Sequence, residues 1–344
     1  MSRVDVVMPC YNYGKFLADC VAGALDDQPG TDVRVLIIDD ASQDDSAEIA
    51  HKLAAADDRI DVIVHPVNRG HIATFNEGLL DWADGDYCIL ISADDKLAPG
   101  ALRRAADLMD ARPEVGFVYG NVIRFNDGDE LPPGKTTSRP PTIWPGRQWL
   151  EQRFREAHTC IFSPEVIIRT SVQRQAGGYN PDLYHTSDVE MWMRLAVYAD
   201  VGFVHADQAY KRSHGTMMSG VVDDLMHLRQ RRAAYEAVLK RYDEMLPNAA
   251  ELSEMVHREL AKEALWVAAR AYDHRQTDTV PVEELVAFAF DCWPDAAHLS
   301  TYRGLQWRRR VGPAAVPYLQ PLVWPRLLAR NVHGLASQAK DRWS

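Results

Sequence analysis

The chain has 344 residues, 47% of them apolar, enough to bury a large core and to exclude a disordered or fibrous protein. Its formal net charge of -11 argues against nucleic acid as the main partner, because phosphate backbones are bound chiefly through Lys and Arg. Cys10, Cys20, Cys88, Cys160 and Cys292 form no Cys-x-x-Cys pair and no zinc spacing, so buried, reduced thiols are expected.

Residues 1–9 pass directly into a strand pattern broken by Asp5 and Pro9, with no leader-like segment, and no apolar run reaches the roughly 20 residues needed to span a bilayer. A cytoplasmic protein, soluble or peripheral to the membrane, is expected. Short apolar runs at 4–8, 33–38, 61–64, 87–91 and 116–119 read as strands. Between them, helical patterns cover about 16–25, 46–56, 72–82 and 99–111. This alternation predicts an α/β fold with a mostly parallel sheet and helices on both faces.

Residues 126–145 are dense in Gly, Pro, Asp and Thr and read as a long irregular loop, of the kind that serves as a lid or linker. A helix at 147–157, a strand at 166–168, a helix at 188–198 and a strand at 201–205 follow. The first domain is expected to close near residue 220. Residues 221–344 read as a helical C-terminal extension, with helices near 221–242, 249–272 and 282–292. From 300 onward basic residues dominate, including Arg303, Arg308, Arg309, Arg310, Arg326, Arg330, Lys340 and Arg342. Such a tail is either a solvated basic end or a peripheral contact with an anionic membrane.

In a parallel sheet, ligands bind beyond the carboxyl ends of the strands. The first strand ends in Pro9-Cys10-Tyr11-Asn12, the second in Asp39-Asp40-Ala41-Ser42, and the fourth in Ser92-Ala93-Asp94-Asp95. Paired carboxylates at such an edge suit Mg²⁺ or Mn²⁺ carrying a diphosphate, although Asp is also a common helix cap. Asp188, at the start of the helical pattern 188–198, reads on its own as a helix cap. No Gly-x-Gly-x-x-Gly follows the first strand and no phosphate-binding Gly-x-x-x-x-Gly-Lys loop occurs, which disfavours hydride transfer and P-loop hydrolysis.

Taken together, Val6-Val7-Met8-Pro9-Cys10-Tyr11-Asn12, Ile38-Asp39-Asp40-Ala41-Ser42, Asn68-Arg69-Gly70, Asn76-Glu77-Gly78, Ser92-Ala93-Asp94-Asp95, Gly177-Gly178-Tyr179 and Ser187-Asp188 resemble family 2 glycosyltransferases with the GT-A fold. The resemblance covers most of residues 3–220 and implies an inverting transfer from a nucleotide-diphosphate sugar to an acceptor hydroxyl. It implies Asp188 as general base, and nucleotide contacts from Pro9, Tyr11, Asn12, Asp40, Asn68 and Asp94, with Asp40 on the base and Asp94 near the ribose. It further implies a divalent cation, Mn²⁺ or Mg²⁺, on Asp95 and His214. Phe75 stands where the family often has a basic residue, so Arg69, His71 or the cation is expected to neutralise the diphosphate.

Two other functions fit parts of the pattern. A non-catalytic scaffold that only holds nucleotide would not need Asp188, and a nucleotidyltransferase would need a Gly-rich, basic loop that the first strand end lacks. Acceptor choice is expected to reside in residues 126–145 and in the helices after 221.

Overall fold

The computed structural model describes residues 2–136, 139–158, 161–215 and 223–318. Two compact units account for them: residues 1–151 with 159–220, and residues 152–158 with 221–344. Met217 and Met218, and the basic residues from Arg326 onward, lie outside the described residues.

The first unit is built on one mixed sheet. Its strands are β1 (Arg3–Cys10), β2 (Asp32–Asp39), β3 (Ile60–Val64), β4 (Tyr87–Leu90), β5 (Lys96–Leu97), β6 (Val115–Asn126), β7 (Thr142–Trp144), β8 (Ile167–Arg169) and β9 (Asp200–Ser213). They run in the order β3-β2-β1-β4-β8-β6-β9-β5, with β7 also on β9. β1, β2, β3 and β4 are mutually parallel, whereas β8 is antiparallel to both β4 and β6. β1 is buried along nearly its whole length because both faces are covered, as expected of a central parallel strand, and it carries even the charged Asp5 inside.

One face buries Val4, Val6 and Met8 against Leu17, Cys20 and Val21 of α1 (Gly14–Leu25) and Leu102, Ala105 and Met109 of α4 (Ala101–Ala111), with α2 (Ser46–Ala56) contributing Ala50. On the other face, Val7 meets the segment after α3 (His71–Asn76), a single π-helical stretch over Glu77–Trp82. A Cβ on Gly78 would stand 2.3 Å from Val7 Cγ1, so only glycine allows this approach. The sequence pattern at 72–82, read as one helix, is therefore two elements; π-helical insertions of this kind collect at functional sites. α6 (Thr170–Ala176) and α7 (Ser187–Tyr198) complete the unit.

The other departures concern length. β6 and β9 extend well past the apolar cores at 116–119 and 201–205, because they pair with each other out to Asn126 and Ser213. Residues 126–145 are not a free loop in their described part. β7 pairs with β9, the Asp207 N–H donates to the Lys135 carbonyl at 2.8 Å while the Lys135 N–H donates to Asp207 Oδ2 at 2.7 Å, and Tyr210 donates to the Pro132 carbonyl at 2.9 Å. Backbone pairing overrides the turn-forming composition.

In the second unit α8 (Asp224–Arg241), α9 (Ala249–Asp273), α10 (Val282–Cys292) and α11 (Ser300–Val311) gather around α9, whose Leu252, Val256, Leu260, Ala264 and Ala268 form a buried stripe. That four-residue spacing is what an amphipathic helix requires. The end of α5 (Gly146–Glu156) belongs here too, with Phe154 against Tyr235 at a ring distance of 4.9 Å. Arg231, buried on α8, pairs with Glu263 at 2.7 Å. Residues read as a basic tail begin with α11, where Arg308 is paired with Asp273 and Arg309 with Glu283. These two charges are met by acidic partners of the same unit. No helix among the described residues is long and apolar enough to cross a membrane. Cys10, Cys20, Cys88 and Cys292 are buried free thiols.

Candidate functional site

β1 and β2 end in register, Cys10 opposite Asp39, and the chain then turns at both ends through left-handed residues, Asn12 (φ 59°) and Ala41 (φ 60°). Asn is tolerated in that conformation and Ala is strained in it, so the surroundings must hold the turn. They do: the Asn12 N–H donates to Ser42 Oγ at 2.9 Å, and the Gln43 N–H to Asn12 Oδ1 at 2.7 Å. Tyr11 is exposed and Pro9 half-buried beside this brace.

The two acids at the end of β2 differ sharply. Asp40 spends its carboxylate on the chain: Oδ1 accepts the Arg69 N–H at 2.8 Å, Oδ2 accepts the Gly70 N–H at 2.9 Å, and His65 Nδ1 lies 2.7 Å from Oδ1. Asn68 closes the same turn, donating to the Asp40 carbonyl at 3.1 Å. His65 is in turn 3.0 Å from Glu77, which also pairs with Arg69. Asp39 accepts the Ser42 N–H on Oδ1, but its Oδ2 is buried with no hydrogen-bond partner. A buried carboxylate oxygen without a donor is costly, and it is the acceptor that a ligand N–H would satisfy. The sequence pattern set Asp39 and Asp40 together at the strand end and gave a role to Asp40 alone; the two carboxylates differ in that only Asp39 keeps an oxygen without a donor.

Asp94 and Asp95 do not cap the next helix, since α4 starts only at Ala101 behind Gly100. They stand before β5, whose antiparallel register on β9 pairs Lys96 with Tyr210 and Leu97 with Ala209. Continuing that register sets Asp95 across from Lys211 and Asp94 across from Arg212. The contacts agree: the Arg212 N–H donates to Asp95 Oδ1 at 3.0 Å, Arg212 Nε donates to the Asp94 carbonyl at 3.0 Å, and Lys211 Nζ lies 3.8 Å from Asp95 Oδ2. Arg212, buried between the Phe16 and Phe125 rings, is the bracket of this acidic turn. His214 Nε2 sits 2.9 Å from Asp94 Oδ2, with its ring 5.1 Å from Phe16 and 5.4 Å from Tyr13.

Burial, helped by the charge of Asp94, pushes the Asp95 carboxyl up to about 7 against the opposing pull of Lys211. Among the described residues no group of three or more His, Cys, Asp or Glu side chains is arranged to hold a metal ion. His214 is hydrogen-bonded to Asp94 rather than joined with Asp95 in a ready-made cage. The donor set nevertheless fits a divalent cation completed by ligand oxygens, because a buried carboxylate with an imidazole beside the same acidic turn suits Mn²⁺.

Asp188 is not the cap of α7. The capping position is Thr186, and Asp188 lies in the first turn, where the helix dipole favours a carboxylate and the Val189 N–H reaches its Oδ1 at 2.7 Å. Burial prevails over these terms and over Lys211, and raises its carboxyl to about 6. The preceding loop is tied to the end of α3 by Asn76, whose amide donates to the Tyr179 carbonyl at 3.0 Å and accepts the Tyr179 N–H at 2.6 Å. The cations expected for a diphosphate are engaged elsewhere: Arg69 pairs with Glu77, and His71 Nε2 lies 3.2 Å from the Tyr184 carbonyl. Lys211, singled out by no sequence motif, is the cation that both Asp95 and Asp188 feel.

Residues 5–173 match the model of Glycosyl transferase family 2. The chain carries a family 2 glycosyltransferase domain. Among curated relatives, an uncharacterized protein of Mycobacterium tuberculosis, MT1568, is 25% identical over 61% of this chain and 66% of its own length. The glycosyltransferase GlyG of Streptococcus pneumoniae is 28% identical over 37% of this chain and 41% of its own. The chain thus spans less than two thirds of the length of these relatives. Solved structures share the fold: Staphylococcus aureus TarS, residues 1–349 in complex with UDP, superposes with a TM-score of 0.59 at 17% identity, over 93% of this chain and 90% of that one. The mannosyltransferase PcManGT of Pyrobaculum calidifontis, in complex with GDP-Man and Mn²⁺, gives 0.51 at 18% identity, over 93% and 87%. The glycosyltransferase domain therefore has the GT-A fold, a curled, mostly parallel sheet between helices.

Proposed function

We propose that this protein transfers a glycosyl group, with inversion, from a nucleoside-diphosphate sugar to an acceptor hydroxyl. The observation that carries the reading is the pair of acidic strand ends, Asp39 with its unpartnered Oδ2 at the end of β2 and the buried Asp94-Asp95 turn after β4, together with Asp188 at the start of α7, which feels the same Lys211 charge as Asp95. Neighbours solved with UDP and with GDP-Man support a nucleotide-sugar donor.

In this reading the turns after β1 and β2 hold the base, with Asp39 accepting from a ring N–H and Asp40 fixing the Asn68–Gly70 turn that closes over it. Pro9, Tyr11 and Asn12 form the opposite wall, and Asp94 faces the ribose. Asp188 takes the proton of the acceptor hydroxyl as its oxygen bonds to the anomeric carbon. The bond from that carbon to the diphosphate breaks on the opposite face, and its electron pair leaves with the diphosphate. Asp95 and His214 are the side chains that would hold a divalent cation, which when bound neutralises the leaving group. No general acid is then required, which separates this site from the paired carboxylates of glycoside hydrolases.

The test is a panel of UDP-, GDP- and dTDP-sugars, with thermal shift as the binding measure and nucleotide release as the activity measure. A stability rise for one base, with release of its diphosphate, is expected. Binding without release under any condition would instead favour a non-catalytic scaffold.

A further inference from the structure

Lys211 occupies a position that the proposed reaction makes critical. Its ammonium lies 3.8 Å from Asp95 Oδ2 and 5.3 Å from the centre of the Phe162 ring, on which Arg124 also sits at 4.9 Å, and its side chain is about a quarter exposed. The strand holds it there from both sides: Arg212, next along β9, is locked to Asp94 and Asp95, while Tyr210 is paired in register with Lys96. The other two basic candidates near the donor, Arg69 and His71, are turned to Glu77 and to the Tyr184 carbonyl.

We infer that Lys211 is a donor-binding residue whose ammonium engages the β-phosphate of the nucleoside diphosphate. The inference rests on the donor reading given above. Lys211 acts on the cation-side carboxylate Asp95 and on the acceptor-side carboxylate Asp188. From the acceptor base to a diphosphate-bound cation the reacting groups follow in the order acceptor oxygen, anomeric carbon, β-phosphate, and Lys211, 3.8 Å from the cation-side Asp95, stands at the phosphate end of that line. A 3.8 Å contact to Asp95 is loose for an ion pair, so the ammonium keeps donors to offer an entering phosphate oxygen. Asp95 loses that neighbour when the diphosphate arrives, the same moment at which a cation would take its place.

The experiment compares full-length wild type, Lys211→Met and Lys211→Arg by calorimetric titration with UDP, UMP, GDP and GMP, each in excess chelator and in Mn²⁺, after thermal melts confirm folding. A lost charge-assisted contact predicts roughly tenfold or greater weakening of diphosphate binding by Lys211→Met, with monophosphate binding unchanged and Lys211→Arg close to wild type. Unchanged diphosphate affinity in Lys211→Met overturns the inference, and so does an equal loss for mono- and diphosphate. Wild type that binds none of the four nucleotides overturns the donor reading itself, a result distinct from the other two.

Discussion

Asn76 and Tyr179 exchange two backbone-like hydrogen bonds, 3.0 and 2.6 Å long, and so tie the end of α3 to the loop that leads into α7. Gly178 makes room for this clamp, since a Cβ there would stand 2.6 Å from Asn76 Oδ1. Gly178→Ala and Asn76→Ala are each expected to lower stability by about 1–3 kcal/mol, the range for leaving such partners unpaired. Turnover should fall with them, because Asp188 follows the displaced loop. Chemical denaturation and initial rates check this; a wild-type midpoint in Asn76→Ala would show that the clamp is ornamental.

Asp188→Asn should keep donor binding and lose roughly 10²- to 10⁴-fold in turnover, the usual worth of a positioned base. Titration of donor and single-turnover rates separate the two quantities. A variant with wild-type turnover removes Asp188 from the chemistry.

Because the Asp188 carboxyl is raised to about 6, activity should fall about tenfold per pH unit below that value, as the base fills with its proton. The effect on stability has the opposite sense. The folded chain holds this proton up to about pH 6, the unfolded chain releases it near 3.9, so the contribution of Asp188 to stability is fullest below about pH 4 and declines as pH rises through 6. Asp188→Asn should consequently be the more stable protein at pH 8, by about 1–3 kcal/mol, with the difference vanishing near pH 4. Melting curves of both proteins across pH 4–8 decide the point, and a parallel pair of curves contradicts it.

The α/β class, the strands of the first half of the domain and most of the helices between them were legible in the sequence, because apolar runs alternating with helical patterns are local signals. Which acid does what was not. Asp39 and Asp40 look interchangeable as letters, and only the fold reveals that one carboxylate is consumed by the Arg69 and Gly70 N–H groups while the other keeps a bare oxygen. Lys211 and Arg212 were hidden for a similar reason: their importance comes from β5 lying antiparallel on β9, a pairing between residues more than a hundred positions apart. The long partners of β6 and the π-helical Glu77–Trp82 were likewise set by tertiary contacts that no local pattern encodes.

This division of the acids is itself testable. Asp39→Asn should weaken nucleotide binding by about tenfold or more while the melting temperature stays near wild type. Asp40→Ala should lower both, since it strips acceptors from two backbone N–H groups and from His65. The reverse pattern would return the base-reading role to Asp40.

Chelation should abolish transfer and Mn²⁺ should restore it, with Asp95→Asn losing the response to added metal. Full activity in excess chelator would take Asp95 and His214 out of any metal-binding role and leave Lys211 to meet the diphosphate.

The antiparallel register of β5 on β9 also governs which changes of length the chain can survive. Pro132, Lys135 and β7 are themselves bound to β9, so insertions at those points disturb the strand that carries the site. Inserting a single residue between Tyr210 and Lys211 would shift the alternation, sending the ammonium of Lys211 into the space between Phe16 and Phe125 and moving the Arg212 guanidinium to the other face of the strand. Descendants of this chain are thus confined to substitution along β9, where any change of length would exchange the two basic side chains that meet the acidic turn.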